Sequence, residues 1–180
     1  MMLKEKLICS SCGREFDRTS KQRPRFCSNA CKQKAYRDRQ KLLNTPLGEF
    51  RQESRWVRAR GKRPLQLSGR YASSTNPRTW ATFDQVQSSS VGDGFGVMLG
   101  QGLGCYDIDH CFNGGSLKGW VRDYIESIPE KVIYMEVSKS GEGLHLFFLS
   151  TDHGRGSNRG GVERYVQDRF IRTTFDTFTL

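Results

Sequence analysis

No run of apolar residues in this chain approaches the roughly 20 that a membrane-spanning helix needs. The opening Met-Met-Leu-Lys-Glu-Lys also lacks the apolar centre of a secretory leader. The expectation is a protein that meets no membrane and stays in the cytoplasm. No Gly-x-x-x-x-Gly-Lys-Ser/Thr occurs, and the glycines from Gly94 to Gly104 lie between two strand-like runs with no helix following. That excludes a phosphate-cradling P-loop and a dinucleotide fingerprint, and leaves a hairpin of residues 93–100 and 105–109 as the simpler reading. Acidic charge is scarce in front: residues 1–64 hold 18 Lys/Arg against 6 Asp/Glu, whereas residues 65–180 hold 11 against 13.

What is present follows from that asymmetry. A segment of net charge +12 ahead of one of net charge −2 points to a front end that meets a polyanion, with nucleic acid as the default, and a back end whose acids act locally. The bland alternative is a solvated basic face. The length suits one domain, or a larger domain with a small satellite.

Six cysteines in a reducing compartment are read first for metal. Cys9-Ser-Ser-Cys12 and Cys27-Ser-Asn-Ala-Cys31 stand 14 residues apart, the spacing of a closed four-thiolate zinc site. So short a piece cannot bury enough apolar surface without such a staple. Phe16 and Phe26 are its small core, and Ser28 or Asn29 caps a helix with Cys31, Ala35, Leu42 and Leu43 inward. Lys32, Lys34, Arg37, Arg39 and Lys41 occupy the rest. The phrase from Phe26 to Arg39 resembles the second half of a treble-clef or zinc-ribbon finger. Residues 1–43 are assigned to it, residues 44–54 to a linker and residues 55–180 to a second domain. Cys105 and Cys111, with no partner cluster, read as packing residues.

Gly104-Cys-Tyr-Asp107-Ile-Asp109-His alternates like a half-buried strand, so both carboxylates point to one side. Like charges on one face repel, and a divalent cation or shared proton explains them better than folding does. A solvated strand end is the alternative. Ser116–Ile128 has helical spacing, with Trp120, Val121, Tyr124 and Ile125 on one face and Pro129 after it. Residues 132–137 and 144–149 read as strands, joined by Ser138-Lys139-Ser140-Gly-Glu-Gly ahead of His145, a loop suited to phosphate oxygens. Glu163 is a third carboxylate if its strand adjoins the Asp pair, and residues 160–166 and 169–174 form two strands joined by a Gln167-Asp168 turn. Lys62, Arg63 and Arg78 lie in loops where a triphosphate or template can be met. Trp80 and Phe83 read as core.

Taken in order, Tyr-Asp107-Ile-Asp109, Ser138-Lys-Ser140-Gly-Glu-Gly-Leu-His145 and Val-Glu163-Arg-Tyr resemble the three motifs of the archaeo-eukaryotic primase superfamily. The likeness is to the primase-polymerase domain of phages, plasmids and other mobile elements, and covers about residues 55–175. It implies an α+β fold: an RRM-like catalytic domain behind the finger. It implies further that Asp107, Asp109 and Glu163 bind Mg²⁺ or Mn²⁺. His145, Ser140 and Lys139 would then hold the triphosphate of an NTP or dNTP, with single-stranded DNA template and primer as partners. The chain shows neither a helical extension nor a helicase ATPase after the last strand, so a separate helicase is expected. Phe170-Ile-Arg-Thr-Thr-Phe departs from the aromatic-Thr-x-Thr-Gly ending of the family. Two other readings remain: a metal-dependent nuclease, which needs no nucleotide, and a non-catalytic DNA-binding replication module.

Overall fold

The computed structural model describes residues 6–9, 11–17, 25–154 and 156–180. The first five residues of the chain, and residues 10 and 18–24 of the finger, lie outside them. In the finger, β1 (Lys6–Ile8) pairs antiparallel with β2 (Glu15–Asp17). Between them the Gly13 N–H donates to the Cys9 carbonyl at 2.9 Å, a closure that needs φ of 72° at Gly13, where glycine carries no steric cost. Helix α1 (Asn29–Leu43) begins where expected, because the Ser28 side chain accepts from the Cys31 N–H. Leu42 is fully buried but Leu43 is exposed, so only the former faces inward; successive helix positions diverge by about 100°.

Residues 44–54, read as a linker, are packed against the body. A 3₁₀ turn (Pro46–Phe50) follows α1 directly, and Leu47 is fully buried in the same cluster as Leu42, Trp56 and Phe83. The Trp56 indole N–H donates to the Phe50 carbonyl at 2.9 Å. Proline and glycine here end one helix and start the next turn.

Two antiparallel sheets follow. One contains β3 (Trp56–Arg60), β4 (Arg63–Leu65), β5 (Gly94–Met98) and β13 (Phe170–Ile171) in the order β13-β5-β3-β4. The other contains β6 (Leu103–Ile108), β9 (Val132–Val137), β10 (Leu144–Leu149), β11 (Ser157–Arg159) and β12 (Val162–Tyr165) in the order β11-β12-β6-β10-β9. The expected hairpin is therefore absent: β5 and β6 are consecutive but lie in different sheets. Both edges of β5 are taken by β3 and β13, and both edges of β6 by β12 and β10. The turn at Gly100-Gln101-Gly102, all with positive φ, hands the chain from one sheet to the other. The Gln167-Asp168 turn does the same between β12 and β13. Gly96 is required on β5 because the Phe170 ring of β13 lies where a β-carbon would stand.

Helix α2 (Phe83–Ser88) is capped by Thr82 and Gln85 in a reciprocal capping box. The second helix of the body, α3 (Gly119–Ser127), starts later than its periodicity suggests. Ser116–Leu117 (β8) turns back instead on Phe112–Asn113 (β7) across Gly114 and Gly115. Val121 is buried against the outer face of the five-stranded sheet with Ile108, Leu144 and Phe148, but Trp120 is exposed. The other face of that sheet packs Leu103, Cys105, Tyr134 and Phe147 with Trp56, Phe83, Val97 and Ile171 of the remaining elements. The result is a mixed α+β architecture. Among the described residues no helix is long and apolar enough to cross a membrane.

Candidate functional site

Residues directly opposite one another on antiparallel strands share a face of the sheet. Across the five-stranded sheet the register runs Asn158 to Glu163, Glu163 to Asp107, Asp107 to His145 and His145 to Glu136. One polar row thus crosses β11, β12, β6, β10 and β9. Two residues back along β6 the row is Tyr165, Cys105, Phe147 and Tyr134, which belongs to the core between the sheets. The polar row therefore faces the same interior, and Asp109 continues it beyond the end of β6.

Within the row, His145 Nδ1 lies 2.9 Å from Glu136 Oε1 and Nε2 lies 3.7 Å from Asp107 Oδ1. Glu136 has no exposed surface. It also accepts from the Thr174 and Phe175 N–H groups at 3.2 and 2.9 Å. Burial alone would lower the His145 pKa, but the bond to Glu136 and the charges of Glu136 and Asp107 outweigh it, and the value is raised. Burial pushes Asp107 up, as do the charges of Asp109 and Glu163, against the pull of His145 and Arg169. Glu163 accepts from Asn158 Nδ2 at 2.9 Å and from the Tyr165 hydroxyl at 2.7 Å, with Arg169 at 3.6 Å.

Asp107, Asp109 and His145 open on a cleft of about 430 Å³ between the sheets. Lys62 and Pro64 line it from the β3–β4 hairpin, Ser138, Lys139 and Ser140 from the loop before β10, and Asp168 to Arg172 from the last strand. The serine loop is folded on itself: Ser138 Oγ is 3.0 Å from Ser140 Oγ and accepts from the Gly143 N–H at 3.2 Å. A β-carbon at Gly143 would stand 2.7 Å from the Ile108 carbonyl, so the loop rests directly on the end of β6.

Of the residues singled out in the sequence, Asp107, Asp109, Lys139, Ser140, His145 and Lys62 line this cleft, while Glu163 stands beside Asp107 in the sheet without lining it. Lys34 borders an adjoining hollow shared with Lys139, Ser140 and Arg172. Lys32, Arg37 and Arg39 are exposed on α1, Arg63 on β4 and Arg78 on a 3₁₀ turn, all outside the cleft. Sequence reasoning missed Glu136 and Arg172. Glu136 is the one acid in the apolar run Val-Ile-Tyr-Met-Glu-Val, at an inward position of the alternation, and that was the available signal. Arg172 is buried and joins Asp93 through Nη1 at 2.8 Å.

Two metal questions differ in outcome. Zinc at about 2.3 Å from four tetrahedral sulfurs sets them about 3.8 Å apart. Here Cys12 Sγ is 3.7 Å and Cys31 Sγ is 3.6 Å from Cys27 Sγ, and with Cys9 all four lie within 4.8 Å of one another. The cluster could hold a zinc ion. Among the described residues no other group of three or more His, Cys, Asp or Glu is gathered so closely, so Asp107, Asp109 and Glu163 are neighbours without closing on one point. Their donor chemistry still suits a hard cation: oxygen ligands of like charge, with Asp107 half-buried and its proton affinity raised. Compared with protein-family models and with curated protein sequences, the chain matches none.

Proposed function

We propose that the chain is a template-directed nucleotidyltransferase, a DNA primase or polymerase of the primase-polymerase kind with an RRM-like catalytic sheet, acting in replication of a phage or mobile element. The observation that carries this reading is the alignment of Glu163, Asp107 and His145 on three adjacent strands, beside a cleft shared with Lys139, Ser140 and Lys62. Asp107, Asp109 and Glu163 would hold Mg²⁺ or Mn²⁺, which when bound favours loss of the primer 3′-hydroxyl proton and offsets charge on the triphosphate.

The side chains supply the rest. His145, its Nδ1 held by Glu136, presents Nε2 toward the Asp107 end of the cleft as a donor to phosphate oxygen. Lys139, Lys62 and the Ser140 hydroxyl add charge and hydrogen bonds for the triphosphate. The basic α1 of the finger serves as a phosphate-tracking surface for the template, which positions without reading sequence.

Primer extension on a single-stranded template, with Mg²⁺ or Mn²⁺ and labelled nucleotides, tests the reading. Incorporation by the wild type and none by an Asp107→Asn/Asp109→Asn double variant is the expected result. Full activity in the double variant would overturn the site. Cutting of DNA without added nucleotide would replace the polymerase by a nuclease.

A further inference from the structure

From Arg55 to Phe83 the chain contains no Asp or Glu, yet carries Arg60, Lys62, Arg63, Arg70 and Arg78, all exposed. Among the described residues none of these five has a carboxylate within ion-pair distance. Arg60 and Arg63 are direct cross-strand partners on β3 and β4, an arrangement that destabilises a hairpin through like-charge repulsion. Folding gives no reason for it. An external anion does.

Beside these cations lies Tyr71, whose surface is 65% exposed. Residues 70–72 run antiparallel along the outer edge of β4, with a bridge between Leu65 and Tyr71 and the Ala72 N–H donating to the Pro64 carbonyl at 3.1 Å. Arg63 Nη1 donates to the Tyr71 hydroxyl at 2.9 Å, with the guanidinium 5.9 Å from the ring centroid. Gln66 Nε2 holds the Tyr71 carbonyl at 2.8 Å. The ring is thus pinned while open to solvent, which removes most of the ordering cost of using it. The next residues, Ala72 and Ser74, line the cleft with Asp107, and so does Lys62.

We propose that this hairpin edge is a single-strand nucleic-acid site: Tyr71 stacks an unpaired base, and Arg60, Arg63 and Arg70 meet the flanking phosphates. The alternation of one aromatic platform with unpaired cations is the chemistry of a single strand, because a duplex keeps its base faces covered. As the path by which a template enters the cleft, the proposal rests on the polymerase reading. As a binding site it can be measured without that reading.

The test uses the full chain with its zinc, without added nucleotide or Mg²⁺, and follows the fluorescence anisotropy of a labelled oligothymidylate of about 15 nucleotides, within the usual single-strand site size. Tyr71→Ala weakens binding by about fivefold or more, while Tyr71→Phe, which keeps the stacking face and gives up only the Arg63 bond, loses clearly less. Arg60→Gln and Arg63→Gln each reduce the slope of log affinity against log salt by about 0.7. Unchanged binding by Tyr71→Ala overturns the proposal, as does an equal loss in Tyr71→Phe. Duplex bound as tightly as single strand, with the same dependence on Tyr71, overturns it too. Loss in Tyr71→Ala alone with no nucleotide incorporation under any metal leaves this site standing and removes the polymerase. Incorporation alongside normal binding by Tyr71→Ala does the reverse.

Discussion

A carboxylate with no exposed surface costs several kcal/mol unless its lone pairs are engaged, and Glu136 satisfies that condition through His145 and the Thr174 and Phe175 N–H groups. Removing it leaves three donors, two of them buried, facing a void. Glu136→Ala should therefore cost roughly 3 kcal/mol of stability, read as a lower denaturant midpoint. Glu136→Gln, nearly the same shape, should cost less but remove the nearer of the two carboxylate charges beside His145. A group that binds its proton more tightly in the folded than in the unfolded state stabilises the fold while protonated. For His145, raised above 6.5, that contribution is complete below the unfolded value and disappears as pH climbs through the folded one. Thermal midpoints measured from pH 5 to 9 should fall across that window in the wild type, and the fall should be smaller in Glu136→Gln; an identical slope in both would refute the pairing. None of this was legible as chemistry in the sequence, because a lone acid in a strand gains meaning only from the strand placed beside it.

At the scale of elements, the local signals were sufficient where the chain's own neighbours decide. Ser28 caps its helix as read, since a cap engages N–H groups only two or three residues ahead, and Thr82 caps α2 on the same local terms. Strands β9 and β10 have the bounds that their apolar runs imply. The β5–β6 hairpin was misread because the turn alone does not tell a strand which edges are already occupied. Between elements, Arg51 grips Asp84 of α2 with Nε at 2.8 Å and Nη2 at 2.5 Å. The bond to Arg51 holds the Asp84 carboxyl below its ordinary range despite some burial. Its contribution is present above the unfolded carboxyl pKa and is lost as pH falls through the folded one. Asp84→Asn should cost about 1 kcal/mol at neutral pH, as befits a partly exposed bidentate pair, and should cost progressively less in acid as pH falls through the folded carboxyl's own pKa. Equal loss at neutral and acid pH would assign the effect to packing.

Over the whole molecule, the finger and the body are joined by packing as well as by chain. Leu42 at the end of α1 and Leu47 in the 3₁₀ turn both sit in the core between the sheets. Leu47→Ala should cost about 2–5 kcal/mol in the unfolding of the body, an effect a free tether would not produce. Zinc removal should act differently. Strong chelation is expected to melt the cysteine end of α1 and open it to protease, because four thiolates are the staple there, while the sheets unfold at an unchanged midpoint. Joint loss of both would make the finger part of the body's cooperative unit.

By itself the sequence determined the cysteine cluster, the Ser28 helix cap, the central strands and the order of the acidic and His-containing motifs. Each depends on spacing of a few residues, where the backbone period or a ligand's reach leaves little choice. Only the tertiary structure decided which sheet each strand joined, that Glu136 stands behind His145, and that Tyr71 lies open among cations at the rim of the cleft. Those depend on pairings between segments tens of residues apart, where several registers satisfy local propensity and only burial of both sheet faces selects among them.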